Sequence, residues 1–141
     1  MTIGELANRR VVALRPMDTA AAAAKVMRDK GIGCVLIQDG GKRLQGIVTD
    51  RDIVVSVLAA GLDPKTTTLE SIMVRKVVTA PKDEIILRAA RRMAEARIRR
   101  LPVVDGKGRV VGLVSVDDLL VLLITELSNV VAAIVGPSKL I

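Results

Sequence analysis

Apolar and polar positions along this 141-residue chain form two series of short blocks, the second repeating the first 66 positions later, as from Gly46 to Gly112. In the first series an apolar run at 11–14, stopped by Pro16, reads as a strand. Asp18 or Thr19 then stands at a helix N-cap, and Ala20, Ala23, Ala24 and Met27 recur at helical spacing. That spacing predicts a helix with one stripe of small residues, closed by Gly31. The continuous run 34–37 predicts a buried strand, 38–42 a hairpin turn around Asp39-Gly40, and 44–48 the returning strand. Thr49 caps a helix predicted over 50–60, ended by Gly61 with Pro64 beyond it. The unit is β-α-β-β-α.

Residues 62–69 read as a linker, and 70–73 as a helical turn matching another at 4–7. The order then returns: a strand at 77–79 broken by Pro81, a helix capped by Asp83 with its stripe at Ile86, Ala89, Ala90 and Met93, and a second hairpin of 101–104 with 109–114. Ser115 opens the last helix. Residues 31–52 align with 97–118 without a gap. A repeat of roughly 60 residues buries too little surface to stand comfortably alone. The halves are therefore expected to pack sheet against sheet about a pseudo-twofold axis, leaving two related clefts. The expected organisation is a first repeat at 1–61, the linker at 62–69, a second repeat at 70–125, and a C-terminal helix extension and tail at 126–141, in the α/β (α+β) class.

The feature repeated most closely carries chemistry. Gly46-Ile47-Val48-Thr49-Asp50-Arg51-Asp52 returns as Gly112-Leu113-Val114-Ser115-Val116-Asp117-Asp118. Each copy brings a hydroxyl and a carboxylate three residues later to the corner where a strand becomes a helix. Free amides and a partial positive charge at the helix N-terminus let such a corner hold a sugar hydroxyl and a phosphate. The same spacing also makes a capping box that only closes its own helix.

Composition narrows the alternatives. The absence of Phe, Tyr and Trp leaves an aliphatic, Met-filled core and removes the stacking platforms of single-strand nucleic-acid binders. With no His and one Cys, His/Cys zinc sites and Ser/His or Cys/His catalytic pairs are excluded. Cys34, inside an apolar run, reads as a small buried hydrophobe, and a single Cys fits a reducing cytoplasm. Residues 1–6 lack the order of a signal peptide. The net charge of +7 points to anionic company.

Two β-α-β-β-α units, each ending in Gly, two apolar residues, Ser/Thr and an Asp three further on, resemble a tandem pair of cystathionine-β-synthase (CBS) domains, the Bateman module, over roughly residues 4–125. The resemblance implies a stand-alone regulatory module, not an enzyme. It would bind AMP, ADP, ATP or S-adenosylmethionine between its repeats, pair into a homodimer, and act on a partner enzyme or transporter. It implies ribose contacts by Asp52 with Thr49 and by Asp118 with Ser115. Around the second copy it implies ligand contacts by Thr79, Arg99, Arg100 and the strand holding Pro102, where the first copy has Leu14, Gly33, Cys34 and Leu36. Arg51, in the first helical turn of its corner, is within reach of a phosphate, and its counterpart Asp117 would repel one. The grouping expected from this is Asp118, Ser115, Thr79 and Arg100 in one cleft, and Asp52 with Arg51 in the other.

Other classes fit less well. A basic nucleic-acid binder would need a recognition helix that the pattern does not show, a ligand-free dimerisation module would leave both corners as caps, and an enzyme has no nucleophile–base pair. Arg88 and Arg92, four apart on a helix, read as a solvated face. The apolar stretch 119–135 is interrupted by Thr125-Glu126 and Ser128-Asn129, so it reads as a long helix covered by a second copy or a partner and not as a membrane span.

Overall fold

A computed structural model describes residues 1–136. Its elements are α1 (Ile3–Leu6), β1 (Ala13–Leu14), α2 (Ala20–Lys30), β2 (Cys34–Gln38), β3 (Leu44–Thr49), α3 (Asp50–Ile53), α4 (Leu69–Ile72), β4 (Ala80–Pro81), α5 (Ile86–Ala96), β5 (Arg100–Val104), β6 (Val110–Ser115) and α6 (Val116–Val135). They form two three-stranded sheets, β1-β2-β3 and β4-β5-β6, each with one parallel and one antiparallel pair. The expected class, a duplicated α/β (α+β) unit, is the one observed. The registers also repeat: Cys34 faces Thr49 and Arg100 faces Ser115. An antiparallel bridge from Arg43 to Arg109 joins the two hairpins.

Each sheet packs against its own aliphatic cluster, but the opening turns are exchanged. Ile3 and Ala7, at the start of the first repeat, fill the cluster of the second with Ala89, Met93, Leu101 and Val114. Leu69 and Met73, at the start of the second, fill the cluster of the first with Ala23, Met27, Ile37 and Val48. Burial of Ile3 alone is worth about 1.5–3 kcal/mol. After each turn the chain runs along the far repeat's hairpin: Val74 and Ile47 exchange both backbone hydrogen bonds (3.0 and 3.1 Å), as do Asn8 and Leu113 (both 3.0 Å). This crossing accounts for the glycine of each corner. A Cβ on Gly112 would lie 2.6 Å from the Ala7 Cβ, and one on Gly46 would lie 2.9 Å from the Val74 carbonyl oxygen. The segment expected as a linker is likewise tied down. The carbonyls of Thr67 and Pro64 accept from Ala20 and Ala21, the first amides of α2, each at 2.9 Å.

Several local expectations are corrected. Thr19 caps α2, its hydroxyl accepting from the Ala22 amide, whereas Asp18 accepts from Arg15. Asp83 does not cap α5, which starts after Ile85 without a side-chain cap. Next to it, buried Glu84 holds Arg92 in a two-pronged ion pair of 2.6 and 3.2 Å. Ala24 is exposed, so Ala20, Ala23 and Met27 carry the buried stripe. The strand expected at 77–79 forms instead at Ala80–Pro81. In the first repeat the Leu36 amide donates to the Val12 carbonyl at 3.0 Å. Its counterpart Pro102 has no N–H to give, and β4 pairs further along, with the Lys82 amide donating to Val104. The helix expected over 50–60 is one α-turn continuing as a π-helical segment, Val54–Leu58.

Candidate functional site

Both corners are capping boxes in the structure. The Thr49 amide donates to Asp52 Oδ2 at 2.8 Å and the Asp52 amide donates to Thr49 Oγ1 at 3.2 Å. Ser115 and Asp118 repeat the pair at 2.8 and 3.1 Å. Each box occupies only Oδ2 of its Asp. Among the described residues no protein group donates to the other carboxylate oxygen of either, and both side chains are partly accessible. The cap thus orients the carboxylate and leaves an acceptor over.

Each corner opens on a cleft walled by both repeats. The first, about 220 Å³, brings Ile47 and Thr49 together with Lys76, Val77 and Val78 and with Ile98, Arg99 and Arg100. The second, about 310 Å³, brings Leu113, Ser115, Asp117 and Asp118 together with Arg10, Val11 and Val12 and with Ile32, Gly33, Cys34 and Arg100. Apart from Asp117, Asp118 and the shared Arg100, the residues named are counterparts at the 66-residue spacing. One frame has therefore been used twice, with different residues facing inward.

This geometry redraws the expected groupings. Ser115, Asp118 and Arg100 share a cleft as expected. Thr79 lines neither cleft; it lies half-buried just ahead of β4. Arg99 and Arg100 reach across to the Thr49 corner, and Arg100 borders both clefts. Pro102 is fully buried in β5, Arg51 is exposed, and neither Arg51 nor Asp52 lines a cleft, unlike Asp118. The reason is the exchange of opening turns: a corner faces the start of the other repeat's hairpin, not its own. Arg10 and Lys76 were missed as site residues. Their signal was the repeated run Arg9-Arg10-Val11-Val12 and Arg75-Lys76-Val77-Val78.

The electrostatics of the clefts differ. Around Thr49, three cations border a mostly apolar slot and no lining residue is acidic. Around Ser115, Arg10 and Arg100 are set against Asp117 and Asp118. Gly33 leaves room for the Arg100 guanidinium, whose Nη2 would lie 3.0 Å from a Cβ there, with Asp50 Oδ2 at 3.3 Å. Cys34 borders the second cleft. Burial pushes its thiol above the ordinary range, Arg100 opposing and Asp50 adding to the effect, which favours the protonated thiol at neutral pH. Among the described residues no three His, Cys, Asp or Glu side chains cluster as a metal site.

Two sheets joined through exchanged turns, with a pair of helix-capping corners facing two inter-repeat clefts, define a duplicated ligand-cleft module. The family model "CBS domain" matches residues 3–59 and again 69–125. The chain belongs to the CBS-domain family. An uncharacterized protein of Methanopyrus kandleri, MK0525, is 37% identical over 120 residues, 85% of this chain but 61% of that protein, so the chain spans less than two thirds of this relative. Among solved structures, the CBS domain pair of protein MJ0100 in complex with 5′-methylthioadenosine and S-adenosyl-L-methionine has a TM-score of 0.80 at 30% identity, covering 89% of this chain and 98% of that one. The cytosolic domain of the Mg2+ channel MgtE in complex with ATP has a TM-score of 0.75 at 33% identity, covering 86% of this chain and 48% of that one.

Proposed function

We propose that this chain is a regulatory module that binds an adenosyl ligand carrying phosphate in the cleft at Thr49. The observation that carries the reading is the pairing of an apolar slot with Lys76, Arg99 and Arg100 and no acidic lining residue. An aromatic base fits the apolar part, and the cations supply charge-assisted hydrogen bonds to phosphate. Asp52 does not line this cleft, so the ribose contact that the family resemblance implies requires a ligand reaching past Thr49 to the carboxylate oxygen left over by the capping box. The Ser115 cleft, with Arg10 and Arg100 set against Asp117 and Asp118, suits an adenosyl ligand that carries groups of both signs, such as S-adenosylmethionine. Similar structures support both classes, since the MJ0100 CBS domain pair is in complex with 5′-methylthioadenosine and S-adenosyl-L-methionine and the MgtE cytosolic domain with ATP. A ligand in either cleft touches both repeats, so occupancy favours one inter-repeat arrangement, which a partner enzyme or transporter in the cytoplasm reads by linkage.

Calorimetric titration with adenosine, AMP, ATP and S-adenosylmethionine tests this. Arg99→Ala and Lys76→Ala are each expected to weaken ATP roughly tenfold while leaving adenosine nearly unchanged, and Arg10→Ala to leave ATP unchanged. Absence of binding by all four ligands would refute the proposal. Binding of duplex DNA that weakens steeply with salt, without nucleotide binding, would favour a nucleic-acid binder instead.

A further inference from the structure

The two hairpins meet on the axis that relates the repeats. Arg43 and Arg109 stand 66 positions apart, so each is the other's counterpart, and they face each other in an antiparallel bridge. A residue that pairs with its own counterpart lies on the pseudo-twofold axis. The backbone polar groups of both arginines are engaged within their own turns. The Arg43 amide donates to Asp39 Oδ1 at 3.0 Å and its carbonyl accepts from the Asp39 amide at 3.1 Å; Arg109 and Asp105 repeat both bonds at 2.9 Å. In facing pairs that exchange no hydrogen bond, the two side chains leave from the same face and start about 4.5–5.5 Å apart. Like charges so placed repel, and the pair costs stability. The turns do not neutralise it. Asp39 is taken up by the amides of Gly41 and Arg43 and by the Gln45 side chain, and among the described residues no acid pairs with Arg43. Asp105 meets the Arg109 guanidinium at Nε, 3.2 Å away, which leaves its terminal nitrogens over. Lys42 and Lys107 flank the pair in the same two turns; all four residues are exposed, and none lines either cleft.

We propose that this patch is a docking surface for an acidic segment of a partner protein, with Arg43 and Arg109 each taking a carboxylate and Lys42 and Lys107 supplying charge around them. The planar fork of N–H donors on an arginine matches a carboxylate with two parallel hydrogen bonds, and an occupant of opposite charge removes the repulsion that the bridge builds in. A nucleic acid fits worse. Asp39 and Asp105 stand in the same turns as the cations, set against a continuous rail of phosphates, and the chain has no aromatic side chain to stack on a base. The position on the axis adds a consequence. Arg43 belongs to one repeat and Arg109 to the other, so a segment held by both is sensitive to how the repeats are set against each other. This inference goes beyond the ligand reading and does not depend on it.

The full chain is titrated with a fluorescein-labelled octaglutamate peptide, followed by anisotropy at about 50 and about 200 mM salt. Binding is expected at the lower salt and weaker binding at the higher. The Arg43→Gln/Arg109→Gln double variant is expected to raise the dissociation constant about tenfold. A charge-matched control on exposed positions of α2, Lys25→Gln/Lys30→Gln, is expected to change it less than about twofold. Without peptide, Arg43→Gln is expected to raise the melting temperature by about 1–3 °C, because it relieves the facing charges. Any of four results overturns the proposal: no peptide binding at the lower salt, equal weakening by the double variant and its control, a melting temperature lowered by Arg43→Gln, or a short DNA duplex that displaces the labelled peptide at a lower concentration than unlabelled peptide does.

Discussion

Replacing Asp52 separates the two roles that its corner combines. Asp52→Ala deletes the acceptor at 2.8 Å from the Thr49 amide but keeps the reciprocal bond at 3.2 Å, which uses the backbone N–H of residue 52. Half of a partly buried capping box is lost, at a cost of about 1 kcal/mol. For a chain of this size that lowers the melting temperature by about 3–5 °C. Asp52→Asn keeps an oxygen where Oδ2 lies, so it should lose less than half as much. The ligand side behaves differently. If Asp52 holds ribose as the resemblance implies, Ala removes that acceptor, worth about 1.5–3 kcal/mol per charge-assisted bond, or roughly ten- to a hundredfold in affinity. Asn keeps an acceptor but not the charge, so its affinity should fall between wild type and Ala. Thermal melts and calorimetric titrations of Ala and Asn variants at 52, repeated at 118, give four pairs of numbers. Lowered melting with unchanged affinity in both Ala variants would reduce the corners to helix caps and remove the ribose contact. Equal melting of Ala and Asn would show that the acceptor at Oδ2 is not what stabilises the turn.

Two further outcomes follow from the duplicated backbone. Gly112→Ala brings a methyl to 2.6 Å from the Ala7 Cβ, so urea unfolding should show a loss of about 1–3 kcal/mol, partly restored by adding Ala7→Gly; a loss of only a few tenths would mean that the opening turn is not seated on β6. Arg97 and Lys42 adopt left-handed backbone (φ 54° and 62°) where the other repeat has Gly31 and Gly108, so Arg97→Gly and Lys42→Gly should each add about 0.5–1 kcal/mol, and a lower melting temperature in either would refute the assignment of strain.

What could be read from the sequence was whatever is local and duplicated. The strand–turn–strand units, the cap at Thr19, the boxes at Thr49 and Ser115 and the family itself all rest on short-range spacing that recurs, so one copy corroborates the other. The elements misplaced were those fixed by a long-range partner. The second outer strand depends on Pro102, more than a whole helix further along the chain, lacking an amide. Asp83 was favoured as a cap by residue type, yet Glu84 is the acid that the fold buries, because Arg92 lies across from it. The grouping of Thr79 with Ser115 failed for the same reason. Alignment of repeats shows which positions correspond, but not that each corner faces the other repeat's hairpin.

The exchange of opening turns also bears on how the clefts relate to each other. Ile3 and Ala7 belong by sequence to one repeat and by packing to the other, and Leu69 and Met73 reverse the relation. The residues that follow them, Asn8 to Val12 and Val74 to Val78, run from the far repeat's strand into the cleft walls. A ligand pressing on Lys76 or Arg10 therefore pushes on a segment hydrogen-bonded to one sheet and covalently continuous with the other. Arg100 joins the clefts directly, since its guanidinium borders both and lies against Gly33. These crossing segments give a direct route by which a ligand's differential affinity for two arrangements of the repeats would act, and Arg100 is the residue that the two clefts share. On the proposed reading, coupling between the sites would require no separate pathway, and the asymmetry of charge between the clefts would set which ligand exerts it from which side.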